Sequence, residues 1–376
     1  MSTSYVTKDA YAYFRCRIAG QVCSLQHGSA FTAARHTPSS LARNTSYCES
    51  ATSIPFRTTI ALPYNVHVTR IFRGMSTIQN VAILGADGNL GPSILNALAA
   101  APFTVTVIKR ATSTSPDNAY PSGVKVSRVP DDLPLDALTA ALAGQDALIV
   151  TIKATQSDVQ KRLADAAVQA GVKRFMPADF GSCDSSTQQA QDLVPLFKHK
   201  AELRAHVQDL AKKHPAFSWT SLVTGHFFDW SLPFIHVDLP GRKADVLGDG
   251  DSVCSMSTLS RIGEATVRVL QRPAETANQM LFVQSFCVTQ NAVVSAFEKA
   301  TGGGAWEVEK FPADQFREDM RARAANGDKE AVEHLVYYLG VVDGDWRKKD
   351  GFAMDMLGLK DEDVEAVVRD VVRKSS

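Results

Sequence analysis

The stretch that decides the fold is Val81-Ala82-Ile83-Leu84-Gly85-Ala86-Asp87-Gly88-Asn89-Leu90-Gly91. Its four leading apolar residues predict a short buried strand, and three evenly spaced glycines follow that strand directly. Beyond Gly91, the apolar residues Ile94, Leu95 and Leu98 have helical spacing and predict a helix. A strand, a glycine-rich turn and a helix in this order form the first half of a dinucleotide-binding unit.

Each glycine has a predicted role in this turn. Gly85 permits the sharp exit from the strand, Gly88 lets a pyrophosphate approach the backbone, and Gly91 allows the helix to pack closely on the sheet. The N–H groups at the start of the helix would face the phosphates at the positive end of the helix dipole. The alternative is a tight glycine turn without a ligand. The predicted cofactor-binding residues of the loop are Gly85, Asp87, Gly88, Asn89, Leu90 and Gly91.

The end of the next predicted strand indicates which nucleotide binds. NAD-specific sites usually place an acid about 20 residues after the glycines, where it binds the ribose hydroxyls. Here the strand at residues 105–108 is followed by Lys109 and Arg110. Two cations would pair with the 2′-phosphate of NADP, and the arginine fork could bind it in bidentate fashion. We therefore predict NADPH as the cofactor, although a solvated strand-end charge is an alternative that suits Lys109 better than Arg110.

The rest of the chain predicts an α/β fold with a doubly wound parallel Rossmann sheet. From residue 80 onward, buried strands alternate with helical segments up to about residue 235, which is typical of such a sheet. Beyond that point the pattern becomes irregular. We therefore predict an N-terminal extension at residues 1–75, an NAD(P)-binding domain at 76–235, and a smaller substrate-binding or capping α/β region at 236–376.

The first 74 residues differ in composition from the remainder. They contain seven arginines and one lysine, with Asp9 and Glu49 as the only acids, and many small hydroxyl residues. Such a segment is typical of a mitochondrial transit peptide. The alternative, which we favour slightly, is an extension outside the fold, because Met75 stands just before the first strand. We expect a cytoplasmic protein in the second case and a mitochondrial one in the first.

Composition narrows the classes of partner. The 40 basic and 40 acidic residues balance, which argues against a nucleic-acid binder. No apolar run approaches the roughly 18 residues that span a bilayer, so we expect no membrane segment. The six cysteines show no C-x-x-C spacing, so we predict no metal site. The expected partner is a small-molecule substrate, and a homodimer remains open.

Three segments together resemble a known family. These are the glycine stretch above, Ala170-Gly171-Val172-Lys173-Arg174-Phe175-Met176-Pro177-Ala178-Asp179-Phe180-Gly181, and Phe197-Lys198-His199-Lys200-Ala201-Glu202-Leu203-Arg204. They resemble the isoflavone reductase-like, NmrA-like family of atypical short-chain dehydrogenases, over about residues 80–304. The resemblance implies a Rossmann fold, NADP as cofactor, and a contact of Phe180 with that cofactor.

The chain departs from the family pattern in three segments. The family's Ser-Glu-Phe-Gly is Ala-Asp-Phe-Gly here, which keeps the acid as Asp179. Gly225 replaces the asparagine that the family's reductases commonly carry, which puts the substrate in doubt more than the cofactor. Lys153 stands where relatives often have glycine. It could reach the cofactor, or it could be an exposed strand-end lysine.

No tyrosine of the chain has a lysine four residues later, so the usual short-chain dehydrogenase pair is missing. The resemblance instead implies Lys200 as the catalytic residue, because it matches the family's catalytic lysine. An ammonium there could donate a proton or stabilise an oxyanion. Arg204 lies one helical turn further on and would tend to lower the pKa of Lys200. The aromatic residues Phe227 and Trp230 could line a pocket for a flat substrate, although core packing explains them equally well.

These observations predict an NADPH-dependent oxidoreductase that transfers hydride to a small, aromatic or conjugated organic substrate. The alternative is a non-catalytic NADP(H)-binding redox sensor or regulator of the NmrA type, which the resemblance also allows. Lys200 alone does not decide between them, because the family lysine can also hold the cofactor. An open pocket would favour the enzyme.

Overall fold

The computed structural model describes residues 16–18, 21–23, 77–153 and 155–375. The chain divides into two units, Met1–Leu62 and Pro63–Ser376. The first contains two short strands, β1 (Cys16–Ile18) and β2 (Gln21–Cys23), which pair in antiparallel fashion. Apart from these strands, the predicted extension at residues 1–75 lies outside the described residues, and so does the choice between a transit peptide and an extension outside the fold.

The second unit is organised around a seven-stranded sheet in which all neighbouring strands are parallel. From one edge to the other its order is β5, β4, β3, β6, β7, β8 and β13. This is the doubly wound arrangement, whose strand order reverses between β3 and β6 and opens a crevice there. The strands are β3 (Asn80–Leu84), β4 (Thr104–Arg110), β5 (Lys125–Val129), β6 (Ala147–Val150), β7 (Arg174–Met176), β8 (Ser218–Val223) and β13 (Gln279–Phe282).

Both faces of the sheet are buried, which explains its continuous apolar strands. Side chains alternate along a strand, so Val81 and Ile83 pack in one core layer while Ala82 and Leu84 pack in the other. The first layer also holds α1 (Gly91–Ala100) and α6 (Leu259–Gln271). The second holds α2 (Leu135–Ala141), α3 (Ser157–Gln169) and α5 (Pro195–Lys213), and the short helix α4 (Gln188–Leu193) precedes α5.

The C-terminal part adds two smaller three-stranded sheets and several helices around a separate core cluster. One sheet has the order β10, β11, β15 and the other β14, β12, β9. Their strands are β9 (His226–Phe227), β10 (Val237–Asp238), β11 (Lys243–Leu247), β12 (Val253–Ser257), β14 (Phe286–Thr289) and β15 (Glu307–Phe311). The helices around this cluster are α7 (Gln290–Ala300), α8 (Ala313–Ala325), α9 (Lys329–Val342) and α11 (Val364–Ser375). The short helix α10 (Met354–Leu357) instead packs in the first core layer of the main sheet.

The predicted fold class is confirmed: a doubly wound parallel sheet is accompanied by smaller α/β structure. The segment beyond residue 235 does more than cap the sheet, however. It returns to the main sheet, where β13 forms the edge beside β8 and α6 packs against α1. The alternation of strands and helices in the sequence does not reveal that a later strand returns to the main sheet. Among the described residues, none of the helices has both the length and the apolar character needed to cross a membrane.

Candidate active site

The glycine loop (residues 85–91) follows β3 directly, at the point where the strand order reverses. Gly85 has φ +104°, and a Cβ on it would lie 2.7 Å from the backbone carbon of Thr151, just after β6. A Cβ on Gly91 would lie 2.2 Å from the carbonyl oxygen of Gly85. The close packing of the chain itself therefore requires glycine at both positions.

Gly88 differs from its two neighbouring glycines, because the protein leaves room for a side chain there. The nearest atom to a Cβ would be the Gly85 carbonyl oxygen at 3.4 Å, an ordinary contact distance. Gly88 is exposed, and its φ lies outside the left-handed region. The fold alone therefore does not demand this glycine. An open backbone on the exposed side of the loop fits a pyrophosphate that approaches closely.

The start of α1 completes this part of the site. Helix α1 begins at Gly91, and the preceding Leu90 provides no side-chain cap for the first N–H groups. An uncapped helix N-terminus can accept an anion. Leu90 is buried in the core and Asn89 is exposed. The loop is therefore anchored by Leu90 and presents its backbone toward solvent.

The two cations after the glycine loop lie in different environments. The Arg110 side chain is exposed and makes no hydrogen bond within the described residues. Lys109 is only 6% exposed, and its Nζ donates hydrogen bonds to the carbonyl oxygen of Ser115 at 2.6 Å and to the hydroxyl of Tyr120 at 3.1 Å. It also pairs with Asp117 at 3.3 Å. Lys109 is therefore not a solvated charge, and Arg110 is the more accessible of the two.

The pKa of Lys109 reflects these contacts. Burial alone would lower the pKa of this ammonium, but its hydrogen bonds to Tyr120 and Asp117 outweigh burial and raise it. Lys109 is therefore charged at neutral pH. Its charge lies beneath the β4–β5 loop (residues 111–124), which contains both of these partners.

Asp87 connects the glycine loop to the β4–β5 loop. Its carboxylate accepts a hydrogen bond of 2.6 Å from the Ser115 hydroxyl and one of 2.9 Å from the Tyr120 hydroxyl. Both donors are also partners of Lys109. One network therefore contains two of the predicted cofactor residues and two residues that the sequence did not indicate.

Lys153 lies just beyond β6, two residues after the Thr151 backbone that contacts Gly85. Its side chain is exposed and makes no hydrogen bond within the described part of the chain. This location is near the glycine loop. The contact of Lys153 with a cofactor stays a prediction.

Lys200 is buried on α5, with 8% of its surface exposed. Its Nζ donates a hydrogen bond to the main-chain oxygen of Asp179 and lies 3.8 Å from Oδ1 of the same residue. The ammonium is also 5.6 Å from the centre of the Phe197 ring. A Cβ on Gly181 would lie 3.4 Å from it. Lys200 is thus placed against residues 179–181, which follow the carboxyl end of β7.

Arg204 and Asp179 complete a buried charged cluster. The Arg204 guanidinium donates to Oδ2 of Asp179 at 2.8 Å and to the Ser185 hydroxyl at 3.0 Å. The Ser221 hydroxyl donates to the same Asp179 oxygen. The other oxygen, Oδ1, accepts no hydrogen bond from any described residue. One carboxylate is therefore shared between two buried cations.

The pKa of Lys200 is lowered from its ordinary value. Burial is the main cause, Asp179 partly opposes it, and Arg204 adds a smaller lowering effect. The sequence predicted the direction through Arg204, but desolvation is the larger cause. A lysine with a lowered pKa is better matched to proton transfer near neutral pH than an exposed lysine.

The segment after β7 is fixed by the segment after β8. The carbonyl oxygen of Gly181 accepts hydrogen bonds of 3.0 Å from the N–H groups of both Thr224 and Gly225. Phe180 has φ +34°, a conformation that is uncommon for a residue with a side chain, and it is buried in the core layer that also contains Leu90. Strain of this kind often occurs at functional sites. Phe180 therefore lies beneath the site, and its cofactor contact stays a prediction.

Gly225 has a structural reason to differ from the family's asparagine. Its φ is +73°, and a Cβ on it would lie 2.2 Å from the carbonyl oxygen of Ser255 in β12. The two predicted substrate residues follow closely. Phe227 is half-buried, Trp230 is 43% exposed, and their ring centres are 6.4 Å apart. Both lie beyond the carboxyl end of β8, the edge that also carries the glycine loop.

The sequence indicated Lys200 and the glycine loop but missed most of their partners. Ser115 and Tyr120 contact Asp87 across 28 and 33 residues of chain. Ser185 and Ser221 join the Lys200 cluster from separate segments. Neither set belongs to a motif, so only the fold reveals them.

Comparisons with known proteins identify the family of the chain. The model of the NmrA-like family matches residues 77–335. Oxidoreductase aprR of Aspergillus flavus is 31% identical over 78% of this chain and 98% of its own. Phenylcoumaran benzylic ether reductase Pyrc5 of Pyrus communis is 27% identical over 61% of this chain and 76% of its own.

A solved complex of leucoanthocyanidin reductase with NADPH, from Vitis vinifera, has the same fold. Its TM-score is 0.67 at 18% identity, over 78% of this chain and 99% of that one. The family match covers most of the chain, and it includes the glycine loop, Arg110, Lys200 and Trp230. The predicted resemblance is therefore confirmed, and the chain belongs to the NmrA-like family.

Proposed function

We propose that this chain is an NADPH-dependent oxidoreductase that reduces a small aromatic or conjugated organic molecule. The observation that carries the proposal is the environment of Lys200. A buried ammonium with a lowered pKa lies against residues 179–181, at the same carboxyl edge of the sheet as the glycine loop. In open α/β sheets, ligands bind at this edge, where the strand order reverses.

The cofactor assignment rests on two parts of the site. The exposed backbone at Gly88 and the uncapped start of α1 fit a pyrophosphate. Arg110 would bind the 2′-phosphate that distinguishes NADPH from NADH. The Vitis vinifera reductase supports the assignment, because its structure is a complex with NADPH. Lys153 and Phe180 are further proposed cofactor contacts from the same edge of the sheet.

Lys200 is the proposed proton donor. When bound, NADPH supplies a hydride. Protonated Lys200 would give a proton to the substrate atom on which negative charge develops, or stabilise that charge. The main-chain oxygen of Asp179 orients the ammonium. Arg204 pairs with the Asp179 carboxylate, which reduces the hold of that carboxylate on the Lys200 proton.

The substrate class is inferred from the aromatic side chains near the site. The rings of Phe227 and Trp230 contact each other edge to face, and the ring centre of Phe234 lies 5.8 Å from that of Trp230. Such rings suit a flat, apolar molecule. Relatives carry names such as phenylcoumaran benzylic ether reductase and isoflavone reductase homolog, which supports an aromatic substrate.

The test is a substrate screen with the full-length chain. Aromatic ketones, benzylic ethers and conjugated enones are mixed with NADPH or with NADH, and the loss of nicotinamide absorbance is recorded. We expect consumption with NADPH, and a product that has gained one hydride and one proton. Equal rates with NADH would contradict the cofactor assignment.

The same screen separates the enzyme from the redox sensor. If NADPH binds tightly but no compound is consumed, the reductase proposal fails and a non-catalytic NADP(H)-binding regulator is supported. Light scattering with and without NADPH would show on the same sample whether the chain forms a homodimer.

A further inference from the structure

The side chain of Asp87 lies in an unusual place for an acid. It belongs to the glycine loop, yet its carboxylate reaches the β4–β5 loop and accepts hydrogen bonds from Ser115 and Tyr120. An acid in this loop adds negative charge next to a site proposed for phosphates. Neither the turn nor the packing of the loop explains that residue type, because the Asp87 residue is exposed.

The groups around the Asp87 carboxylate form a typical anion-binding set. Two hydroxyls donate to it, at 2.6 and 2.9 Å. The Nζ of Lys109 lies on the other side of these hydroxyls, 3.0 Å from the hydroxyl oxygen of Ser115 and 3.1 Å from that of Tyr120. Arg110 is the next residue along the chain and is exposed. The two hydroxyls and the ammonium that surround Asp87 are donors that can bind a phosphate.

The position of these groups identifies the phosphate. The end of the second strand of a Rossmann sheet faces the adenosine ribose, and an arginine near it accommodates the 2′-phosphate. Lys109 and Arg110 are the last residues of β4, and Ser115 lies five residues further on. The carboxylate of Asp87 therefore occupies the region where a 2′-phosphate would bind.

We propose that Asp87 acts as an internal anion, which holds the 2′-phosphate subsite until the cofactor displaces it. This inference rests on the proposed cofactor. The incoming 2′-phosphate takes over the Ser115 and Tyr120 hydroxyls, and the exposed Asp87 side chain turns to solvent. Exposed hydrogen bonds of this kind are weak enough to exchange.

The proposal fits the raised pKa of Lys109 and has two consequences for the subsite. Lys109 keeps a raised pKa because its hydroxyl and carboxylate partners are in place without a ligand. The same contacts join the β4–β5 loop to the glycine loop, so both hydroxyls of the subsite are in place before a nucleotide binds. The charge of Asp87 opposes the 2′-phosphate most strongly, because that group competes with the carboxylate for the same two hydroxyls, and it opposes the pyrophosphate more weakly.

The experiment compares nucleotide affinities in the full-length chain and in Asp87→Asn. Asparagine keeps the shape and one acceptor but removes the charge. The matched control is Asp350→Asn, which removes an exposed charge beside the opposite edge of the sheet. NADPH and NADH are titrated by nicotinamide fluorescence, and adenosine 2′-monophosphate by calorimetry, at low and high salt.

We expect Asp87→Asn to bind NADPH and adenosine 2′-monophosphate about tenfold more tightly, with a clearly smaller gain for NADH, which carries only the pyrophosphate. The gain should shrink at high salt, because screening weakens repulsion between exposed charges. Tyr120→Phe should weaken NADPH binding and spare NADH, because it removes a hydroxyl donor from the subsite.

Two results would overturn the inference while leaving the proposed function intact. One is an Asp87→Asn variant that binds NADPH no more tightly than the unchanged chain. The other is an equal loss of NADPH and NADH affinity, which would make Asp87 a structural support of the loop. If the unchanged chain binds no NADPH at all, the cofactor proposal itself fails.

Discussion

The two ends of the candidate site are built differently. At the adenosine end, Asp87 and Arg110 are exposed, and Ser115 and Tyr120 form hydrogen bonds that can be exchanged. At the opposite end, the charges of Lys200, Asp179 and Arg204 are almost entirely removed from water. The difference suggests a division of work. Under the proposed function, the exposed end selects the nucleotide, and the buried end, where electrostatic interactions are stronger, performs the chemistry.

The largest expected effect comes from breaking the buried end. Asp179→Asn removes the carboxylate that Arg204 and Lys200 share, and it leaves two buried cations without a counter-charge. Breaking a buried pair in this way costs about 3 to 5 kcal/mol of unfolding free energy. Chemical denaturation should detect the loss.

The control for this variant is Asp165→Asn, which breaks a partly exposed pair with His206. We expect that change to cost less than about 1 kcal/mol. Equal losses of unfolding free energy in the two variants would mean that the buried cluster contributes no more stability than a partly exposed pair. That result would contradict the difference between the two ends.

A smaller effect is expected at the exposed end. Arg110→Ala should weaken NADPH binding about tenfold, or about 1.4 kcal/mol, and leave NADH binding unchanged, because only the 2′-phosphate contact is lost. Lys125→Ala, which removes an exposed cation at the amino end of the neighbouring β5, should change neither affinity. Parallel losses for both nucleotides with Arg110→Ala would remove it from the 2′-phosphate subsite.

The smallest expected effect is the change of the reduction rate when the pH is varied near neutrality. With Lys200 as the proposed acid, the rate should be constant at low pH and fall as the pH rises through the pKa of that ammonium. Burial lowers this pKa, so the fall should begin below the ordinary lysine value of 10.5. Steady-state rates at saturating NADPH would show it, and a rate that increases over this range would exclude Lys200 as the acid.

Much of the fold was predictable because its signals are local. The strand at residues 81–84, the three glycines and the helix that follows are adjacent in sequence, and each obeys a known periodicity. The return of β13 to the main sheet was not predictable, because that pairing with β8 joins segments about 60 residues apart. Short apolar strands carry no information about their neighbour in the sheet.

The site was predictable only where a residue belongs to a motif. Lys200 was indicated by the family resemblance, and the direction of its pKa shift by Arg204, whereas its burial required the fold. Lys109 shows the opposite case. Its position after the strand predicted a phosphate contact, but the sequence could not reveal that Tyr120 and Ser115 would surround its ammonium.

The central claim is that Lys200 performs chemistry and does not hold the cofactor. The most direct measurement is the single-turnover rate of hydride transfer at saturating NADPH in Lys200→Ala, beside Lys198→Ala, which removes an exposed lysine from the same helix. We predict that Lys200→Ala slows the rate about a hundred- to ten-thousandfold with NADPH affinity unchanged, and that Lys198→Ala changes neither. An unchanged rate in Lys200→Ala, or a loss that NADPH binding alone explains, would contradict the account.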